Sequence, residues 1–463
     1  MSLQYTPVDE YSSIYDSLQA TFAKGTALPL AWRKHQLLQV ARMGQENKDA
    51  FISALKADLN RPVMETLVEL GSAVERAILS AQQLDEWAQP EMVTVPEWQQ
   101  SWLPTIYKTL LGVVLIISPW NYPVLLALQP LIGAIAAGCP SVLKVSEIAD
   151  NSASLMTDLL PKYLDPSAFR IINGGPTETT RLLEFKWDHI FYTGNGRVGR
   201  IVAAAAAKHL TPITLELGGK SPVFIDDKTD LKVAAQRILW GKTTNAGQIC
   251  IAPDYVLVPR GSQEALLDVL KEELRSFYPD GALTALGSVP QPMWSPVEKL
   301  TSNVLLSNLH CSKDVSPHDV LLEDEIFGPF LPLVPVDDLQ EALEYINARP
   351  HPLALYVFTH DPQVKQSYPA RSGSIIFNDT FQQVAVSGLP FSRIGESGYG
   401  SQTMKYTYDR FTHLRSSVDI PLQAEQSLGA RYPPYSAENT KIIGVAADLK
   451  IPMSNSVDGI VNA

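Results

Sequence analysis

The sequence predicts an α/β fold with parallel sheets, and two patterns along the chain support this expectation. From residue 111 to 225, short apolar segments alternate with longer segments of helical periodicity. The same alternation resumes after residue 230 and continues to residue 378. Strands that alternate with helices are typical of βαβ units, in which neighbouring strands run parallel. The 463 residues are enough for about three domains, or for two domains with an appendage.

The N-terminal part is predicted to be helical. One helix is expected over 31–58, and in a second, over 67–84, apolar residues share one face at helical spacing. Pro90 and Pro96 interrupt this pattern. Residues 91–109 carry scattered Val, Trp, Ile and Tyr side chains, which fit either a hairpin that leaves the main body or an aromatic core.

The two alternating regions predict strands and helices at definite positions. In the first region we expect strands at 112–118, 141–146, 169–173, 188–193, 211–217 and 221–226. The intervening helices are expected at 124–137, 151–162, 177–185 and 197–209. In the second region we expect helices at 231–245, 263–277 and 338–348, strands at 254–259, 331–336, 354–359 and 373–378, and an irregular segment at 279–320.

Composition and patterning argue against several classes of protein. The net charge of −12, without a dense Lys/Arg cluster, disfavours nucleic-acid binding, which needs a basic face. Prolines and glycines interrupt the uncharged run 109–143, which therefore predicts a buried strand, loop and helix and no integral membrane segment. The three cysteines, Cys139, Cys250 and Cys311, indicate a reducing, cytoplasmic location without disulfides. The histidines lack ligand spacing, so no metal site is predicted.

A glycine-rich turn, GNGRVG at 194–199, separates a predicted strand from a predicted helix. This context is what a dinucleotide-binding turn requires, because the helix N-terminus favours an anionic phosphate. The generic pattern would then place Glu216, 17 residues past Gly199, on a ribose hydroxyl. The alternative is a glycine turn before an alanine-rich packing helix.

Small residues precede one of the cysteines in the segment Asn245-Ala-Gly-Gln-Ile-Cys250. Close approach of a substrate to a thiolate would need such neighbours. Free cysteines are more often buried and inert, and from these residues alone the inert interpretation is favoured. Cys139 ends an apolar helix and is assigned to the core.

Asn121 lies in the segment Pro119-Trp-Asn-Tyr-Pro123, within the long uncharged run. A buried amide needs hydrogen-bond partners. Asn121 could cap the helix that follows, or it could donate to a developing oxyanion. The residues alone do not separate these two interpretations.

Taken together, these segments resemble the aldehyde dehydrogenase superfamily from about residue 30 to about residue 415. The motifs that carry the resemblance are ISPWNYP, LKVSE, FYTGNGRVG, LELGGKSP, NAGQIC, EDEIFGP and PFSRIGESGYG. The segments NAGQICIAPDY, FYTGN and RYPPY are most similar to the class-3 branch, which includes fatty-aldehyde and apocarotenal dehydrogenases.

The resemblance implies a catalytic role for three residues. Cys250 would be the nucleophile that forms a thiohemiacetal and then a thioester, and Asn121 would hold the oxyanion together with the Cys250 backbone N–H. Glu216 would be the general base and not a ribose ligand. The implied reaction is NAD(P)-dependent oxidation of an aldehyde to the carboxylic acid.

The resemblance also implies the cofactor contacts. Lys144 and Glu147 of LKVSE would bind the adenosine and its ribose, and Glu325 of EIFGP would bind the nicotinamide ribose beside Phe327. Part of the phosphate contact would fall to the glycine-rich turn, at Gly194, Asn195 and Gly199. An acid at 147 would repel a 2′-phosphate, so NAD is expected as the cofactor, with NADP possible.

The implied fold has a Rossmann-type cofactor domain, an α/β catalytic domain and a small oligomerisation arm. The cofactor domain would take 1–87 and 108–217, and the catalytic domain 218–390. The arm would take 88–107 and 391–425 and form a homodimer, followed by a C-terminal tail at 426–463. The substrate would be a small-molecule aldehyde of apolar character, in a funnel lined partly by Trp120, Tyr122, Leu126, Ile249 and Phe391.

Four features depart from the family pattern. Val145 replaces a proline, Ser392-Arg393 replace a glycine pair, and Gln402-Thr403-Met404 replace a Tyr-His-Gly run. The segment 279–320 is also shorter than its counterpart. These changes raise two alternatives: a weakened or inactive homologue that binds nucleotide or dimerises, and a cofactor-independent cysteine esterase. Retention of Asn121, Glu216, Cys250 and Glu325 favours the active dehydrogenase.

Overall fold

A computed structural model describes residues 3–279, 310–367, 370–444 and 449. The chain divides into two compact units. The larger comprises Met1–Ala88 and Thr109–His413, and the smaller comprises Gln89–Lys108 and Leu414–Ala463. Most of the predicted irregular segment, 280–309, and the end of the predicted tail lie outside the described residues. The predicted domain boundaries stay a prediction.

The helices in the described part of the chain are α1 Tyr11–Ala23, α2 Leu30–Glu46, α3 Lys48–Leu59, α4 Val63–Trp87, α5 Leu125–Ala137, α6 Asp150–Tyr163, α7 Pro176–Leu182, α8 Gly196–Ala207, α9 Leu231–Thr243, α10 Gln263–Phe277, α11 Leu339–Asn347, α12 Pro362–Ser367, α13 Gln382–Ala385, α14 Lys405–Arg410, α15 Glu425–Leu428 and α16 Ala437–Gly444. The helix predicted over 31–58 is therefore two helices, α2 and α3. Asn60 ends α3 in the left-handed conformation, with φ of 49°, as Asn and Gly commonly do at this position.

The strands in the described part of the chain are β1 Glu91–Met92, β2 Thr105–Leu110, β3 Val114–Ile117, β4 Ser141–Lys144, β5 Phe169–Ile172, β6 His189–Gly194, β7 Ile213–Leu217, β8 Pro222–Ile225, β9 Tyr255–Pro259, β10 His310–Ser312, β11 Phe330–Val336, β12 Ala354–Phe358, β13 Ser374–Phe377, β14 Phe391–Ser392, β15 Gly398–Tyr399, β16 Ser401–Gln402 and β17 Thr412–Ser417. Most of the predicted strands are present at the predicted places. In the smaller unit β1 pairs antiparallel with β2, which confirms the hairpin.

The first large sheet has the strand order β15-β7-β6-β3-β4-β5. Its strands are parallel except for the edge strand β15, which is antiparallel to β7. Leu115 and Ile117 of β3 pack in one apolar cluster, and Val114 and Ile116 pack in another. This alternation shows that both faces of the sheet are covered, as expected for a parallel sheet.

The second large sheet has the order β10-β11-β9-β8-β12-β13, and all its pairings are parallel. Apolar clusters cover both of its faces as well. β7 and β8 are consecutive in the chain but belong to different sheets. The short link between them, residues 218–221, therefore connects the two large sheets. Two of the candidate site residues, Glu216 and Glu325, lie close to this link.

Candidate active site

Cys250 follows a turn whose backbone has an unusual conformation. Asn245, Ala246 and Gly247 have φ values of 48°, 54° and 79°, all in the left-handed region. Residues other than glycine rarely adopt this region, at a cost of about 1–3 kcal/mol each. A Cβ on Gly247 would press against the carbonyl of Gly328. Glycine is therefore required at position 247 by the turn itself.

Hydrogen bonds fix this turn. The Asn245 backbone N–H donates to the Glu65 carboxylate at 2.9 Å, and its Nδ2 donates to the Asn121 and Gln248 carbonyls at 3.0 and 3.1 Å. The Nδ2 of Asn121 donates to the same Gln248 carbonyl at 3.0 Å. The structure thus brings the buried Asn121 side chain to the turn that carries Cys250.

Asn121 does not cap the helix that follows it. That helix, α5, begins at Leu125, and the N–H groups of Val124 and Leu125 both donate to Glu69 Oε1 at 2.9 Å. Burial raises the pKa of Glu69, although Arg61 and these N–H groups act in the opposite direction. The capping interpretation of Asn121 is therefore wrong, because a carboxylate from α4 takes that place.

Arg61 also belongs to the site, although it was not predicted from the sequence. Arg61 and Glu69 form an ion pair in which both side chains are fully buried. Arg61 also donates to the Asn121 carbonyl and, from Nε at 3.3 Å, to Asn245 Oδ1. Its guanidinium lies 4.3 Å from the Tyr122 ring centroid. One cation therefore fixes both asparagines, although its Asn-Arg-Pro context between two helices is typical of a solvated side chain.

Glu216 lies in β7 and is 2% exposed. Thr193 Oγ1, from the neighbouring strand β6, donates to Glu216 Oε2 at 3.2 Å. Gln402 Nε2 donates to the same oxygen, and Arg393 Nη2 lies 2.9 Å from it. Arg393 and Gln402 were noticed in the sequence only as departures from the family pattern, and their contact with Glu216 was not predicted.

Cys250 is half-buried and shares its electrostatic environment with Glu216. Burial, followed by the Glu216 and Glu325 carboxylates, raises the pKa of the Cys250 thiol well above its ordinary value. Arg393 and the Cys250 backbone N–H act in the opposite direction. This proximity groups Glu216 with the thiol, which favours the general-base interpretation over the ribose-ligand interpretation.

Five of the predicted cofactor residues, Lys144, Glu147, Gly194, Asn195 and Gly199, lie at or just after the carboxyl ends of two strands of the first sheet. The strand order reverses between β3 and β6, and open parallel sheets bind ligands outside the carboxyl ends of strands at such a point. Lys144 ends β4, and its Nζ lies 2.6 Å from Glu147 Oε2. Gly194 ends β6, and Asn195 caps α8 by accepting a hydrogen bond from the Val198 N–H at 2.9 Å.

Gly199 has a packing role in the same turn. A Cβ at this position would lie 2.8 Å from Leu217 Cδ2, so glycine lets α8 approach β7 closely. Close packing of this kind leaves the N-terminus of α8 near the carboxyl end of β6, where an anionic phosphate is favoured. The turn and its helix therefore fit a nucleotide phosphate.

Glu325 has an acceptor that fits a hydroxyl-bearing ligand. Its Oε1 is buried and receives no hydrogen bond from the residues that the structure describes. Burial and the nearby Asp254 raise the pKa of Glu325 to about 8, while the Gly219 N–H and the Lys220 and Lys242 cations act in the opposite direction. Buried polar atoms normally have partners, so a ribose hydroxyl would satisfy this one.

Lys220 and Asp254 position the loop that carries Glu325, and the sequence did not single them out. They form an ion pair of 2.5 Å, and Lys220 Nζ also donates to the Leu321 and Asp324 carbonyls at 2.9 and 2.8 Å. Asp254 Oδ1 accepts a hydrogen bond from the Ile326 N–H at 3.1 Å.

Phe327 follows in this loop in the left-handed conformation, with φ of 49°. Its ring lies 5.6 Å from the Trp120 ring in an edge-to-face arrangement. Phe327 therefore reaches across from the Glu325 loop to the segment that carries Asn121.

The described ranges contain neither a candidate metal site nor a candidate membrane-spanning helix. No three His, Cys, Asp or Glu side chains there could hold a metal ion together. In the same ranges, no helix has the length and apolar character needed to cross a membrane.

A parallel sheet whose strand ends fit a nucleotide, next to a free thiol and a buried carboxylate, fits the class of oxidoreductases that form a covalent intermediate with their substrate. The chain belongs to the aldehyde dehydrogenase family, whose sequence profile it matches over residues 2–290 and 310–417. It is 38% identical over 465 residues to aldehyde dehydrogenase family 3 member H1 of Arabidopsis thaliana, with 96% of each chain covered. It is also 38% identical over 451 residues to the mouse (Mus musculus) protein named aldehyde dehydrogenase, dimeric NADP-preferring, covering 92% of this chain and 98% of that protein.

A solved structure agrees with these sequence relatives. The chain superposes on the substrate-bound state of AldH from Staphylococcus aureus with a TM-score of 0.89 and 32% identity, over 94% of this chain and 99% of that one. The chain is thus an NAD(P)-dependent aldehyde dehydrogenase, and oxidation through a cysteine thioester is general to its family. The predicted family branch, fold class and activity are confirmed.

Proposed function

We propose that the enzyme oxidises an apolar aldehyde, with Cys250 as nucleophile, Asn121 as oxyanion donor and Glu216 as general base. The observation that carries this proposal is the turn before Cys250, to which Asn121 is hydrogen-bonded and beside which Glu216 is buried. Three functional groups from distant parts of the chain thus meet where thioester chemistry needs a nucleophile, an oxyanion donor and a base.

Asn121 can serve the oxyanion while it keeps its structural bond. An amide nitrogen carries two hydrogens, and only one is needed for the 3.0 Å bond to the Gln248 carbonyl. The second would donate to the oxygen that becomes negative when the Cys250 thiolate attacks the aldehyde carbon, together with the Cys250 backbone N–H. Donors held in place before the reaction stabilise the transition state without reorganisation.

Collapse of the thiohemiacetal expels a hydride and leaves a thioester on Cys250. NAD(P), when bound, accepts that hydride. Glu216 would then take a proton from a water molecule that attacks the thioester carbon, which releases the carboxylic acid and restores the thiol.

The carboxyl ends of β4 and β6, together with the loop that carries Glu325, would hold the cofactor. Lys144 and Glu147 would bind the adenosine ribose, Glu325 the nicotinamide ribose, and the turn from Gly194 to Gly199 the phosphates. The Glu147 carboxylate accepts hydroxyl donors and repels a 2′-phosphate, so we propose a preference for NAD over NADP.

We also propose the substrate class, the assembly and the location of the enzyme. Ile249 and Phe391 pack in the same apolar cluster as Cys250, which favours an apolar aldehyde. The smaller unit, with its hairpin β1–β2, would serve as the arm of a homodimer, and the mouse relative is named dimeric. The cysteines are free in the structure, which suits a reducing compartment such as the cytoplasm.

The proposal is tested by NADH formation from a panel of aliphatic and aromatic aldehydes, for the wild type, Cys250→Ala and the control Cys311→Ala. We expect turnover in the wild type and the control, and none in Cys250→Ala. A folded wild type that binds NAD without turnover would favour the inactive homologue. Ester hydrolysis without any NADH formation would favour the cofactor-independent esterase.

A further inference from the structure

A guanidinium lies beside the proposed base. The Arg393 side chain is fully buried and directly follows β14. Its Nη1 donates to the carbonyls of Phe391 and Gly400, both at 3.3 Å, and its charge lies 5.4 Å from the Phe391 ring centroid. Nη2 lies 2.9 Å from Glu216 Oε2. Backbone, ring and carboxylate thus hold Arg393 in one place.

Gln402 reaches the same carboxylate oxygen from the neighbouring strand. β14 and β16 pair antiparallel, with Phe391 opposite Gln402. One hairpin therefore supplies both a cation and an amide donor to Glu216 Oε2. Thr193 adds a second hydrogen-bond donor to that oxygen from β6. All three partners of Oε2 are buried, so this oxygen is already occupied by contacts within the protein.

The same cation acts on the nucleophile. Glu216 and Glu325 disfavour a thiolate on Cys250, and Arg393 is the side chain that opposes them. The charges of both Glu216 and Cys250 act in turn on Arg393, although burial is the larger effect and lowers its pKa. Arg393 thus interacts with both groups that the reaction uses in succession.

Two further arginines and two tyrosines interact with the charged groups of this cluster. Arg76 of α4 interacts with Glu216, and Arg410 of α14 opposes the charge of Arg393. Burial raises the pKa of Tyr122 and of Tyr356, which also face Cys250, so both are neutral near physiological pH.

We propose that Arg393 is a positioning residue of the dehydrogenase reaction, whose guanidinium stabilises the Cys250 thiolate and holds the Glu216 carboxylate in a buried ion pair, so that thioester formation is favoured and thioester hydrolysis is slowed. This inference rests on the proposed roles of Cys250 and Glu216. It adds a cation where the family pattern has a glycine.

The two half-reactions are affected in opposite directions. In the first, the thiolate sulfur bonds to the aldehyde carbon, and the resulting thiohemiacetal loses a hydride to NAD(P) to give the thioester. In the second, water bonds to the thioester carbon, its proton passes to Glu216, and the carbon–sulfur bond breaks to give acid and thiol. The Arg393 cation assists the first half-reaction because it stabilises the Cys250 thiolate. It slows the second half-reaction because the Glu216 carboxylate is held in the ion pair.

The first test uses the wild-type enzyme alone. Rapid mixing with NAD and an aldehyde should give a burst of NADH that approaches one equivalent per Cys250, followed by a slower steady rate. Protein that is quenched in acid after the burst should carry one acyl group per chain, because thioesters survive in acid, and hydroxylamine added afterwards at neutral pH should remove it. A steady rate without a burst and without acylated protein would overturn the proposal, whereas absence of any NADH would overturn the proposed function itself.

The second test needs no turnover. Alkylation of Cys250 by iodoacetamide is followed against pH in the wild type, Arg393→Met and Arg393→Lys. In Arg393→Met, loss of the charge should move the midpoint of alkylation to higher pH by about one unit. In Arg393→Lys, which keeps the charge, the midpoint should lie close to that of the wild type. The control Arg200→Met removes an exposed arginine that pairs with Glu396 and should leave the midpoint unchanged.

Arg393→Met should also lose the burst, because hydrolysis no longer limits turnover. An unchanged midpoint and an unchanged burst in a folded Arg393→Met variant would show that Arg393 only fills space. If that variant fails to fold, the comparison of Arg393→Lys with the wild type and the wild-type burst still decide the question.

Discussion

Asn245 and Asn121 are joined by a hydrogen bond of 3.0 Å across 124 residues of sequence. The donor is the side chain of a residue in the strained turn before Cys250, and the acceptor is the backbone carbonyl of the proposed oxyanion donor. The position of the nucleophile is thereby linked to the position of the group that would stabilise its product.

Replacement of Asn245 should therefore damage both stability and activity. Asn245→Ala places alanine in a left-handed conformation and removes three side-chain hydrogen bonds, which should lower the free energy of unfolding by about 2–3 kcal/mol. Misplacement of the nucleophile should lower kcat/KM by about 100-fold. Urea denaturation and steady-state kinetics measure the two effects.

Asn378 offers a matched control, because it is also left-handed, with φ of 61°, and accepts a hydrogen bond from the Thr359 N–H at 2.8 Å. Asn378→Ala should lose stability but keep its specific activity. Equal loss of activity in both variants would mean that the turn has no special link to catalysis.

The buried pair of Arg61 and Glu69 should affect the free energy of unfolding much more than an exposed pair does. Arg61→Met leaves a carboxylate buried without its cation and should reduce the free energy of unfolding by about 3–5 kcal/mol. The double variant Arg61→Met/Glu69→Gln should recover part of that loss. Denaturant titration gives both values.

The exposed pair Arg181–Glu184 provides the comparison. Arg181→Met should change the free energy of unfolding by less than about 1 kcal/mol. Similar losses in the two single variants would contradict the account of Arg61 as the cation that organises the site.

Much of the fold was predictable from sequence, because strand and helix patterns depend on local spacing. The positions of the central strands β3, β4 and β6 followed from short apolar runs, and the motifs around Cys250 and Asn121 made both residues candidates, whose catalytic roles stay proposals. The burial and pairing of Arg61 and Glu69 were not predictable, because charged residues normally face solvent. Only the tertiary structure shows that these two neutralise each other. The contact of Arg393 with Glu216 joins residues far apart in the chain, which no local pattern reveals.

Cofactor affinity should depend on pH through Glu325. Its pKa of about 8 in the folded enzyme lies above the ordinary value of 4.5, so the folded state retains a proton that the unfolded state loses. The stability that this group contributes is present below pH 4.5 and falls as pH rises towards 8. Binding of a ribose hydroxyl needs the carboxylate, so NAD affinity should increase as pH rises through about 8.

Fluorescence titration with NAD, from about one pH unit below to one above that value, measures the effect. Lys242 from α9 also has a pKa of about 8, because burial lowers it, and it titrates in the same window. Glu325→Gln separates the two groups. If the variant keeps the full pH dependence of the wild type, the dependence belongs to Lys242 and not to Glu325.

Glu147 should set the preference between the two cofactors. Glu147→Gln removes the charge that would repel a 2′-phosphate and leaves Lys144 unpaired, so kcat/KM with NADP relative to NAD should rise by about tenfold, or ~1.4 kcal/mol. The exposed Glu184→Gln variant serves as the control. An unchanged ratio would place the 2′ position of the cofactor elsewhere.

The central claim is that Cys250 carries the acyl group that Glu216 helps to release. The most direct measurement is the intact mass and peptide map of Glu216→Gln after mixing with NAD and an aldehyde. We predict one acyl group per chain, located on Cys250, which persists because the base is lost and disappears on addition of hydroxylamine. Aldehyde oxidation that proceeds without an acyl group on Cys250, or with one on Cys311, would contradict the account.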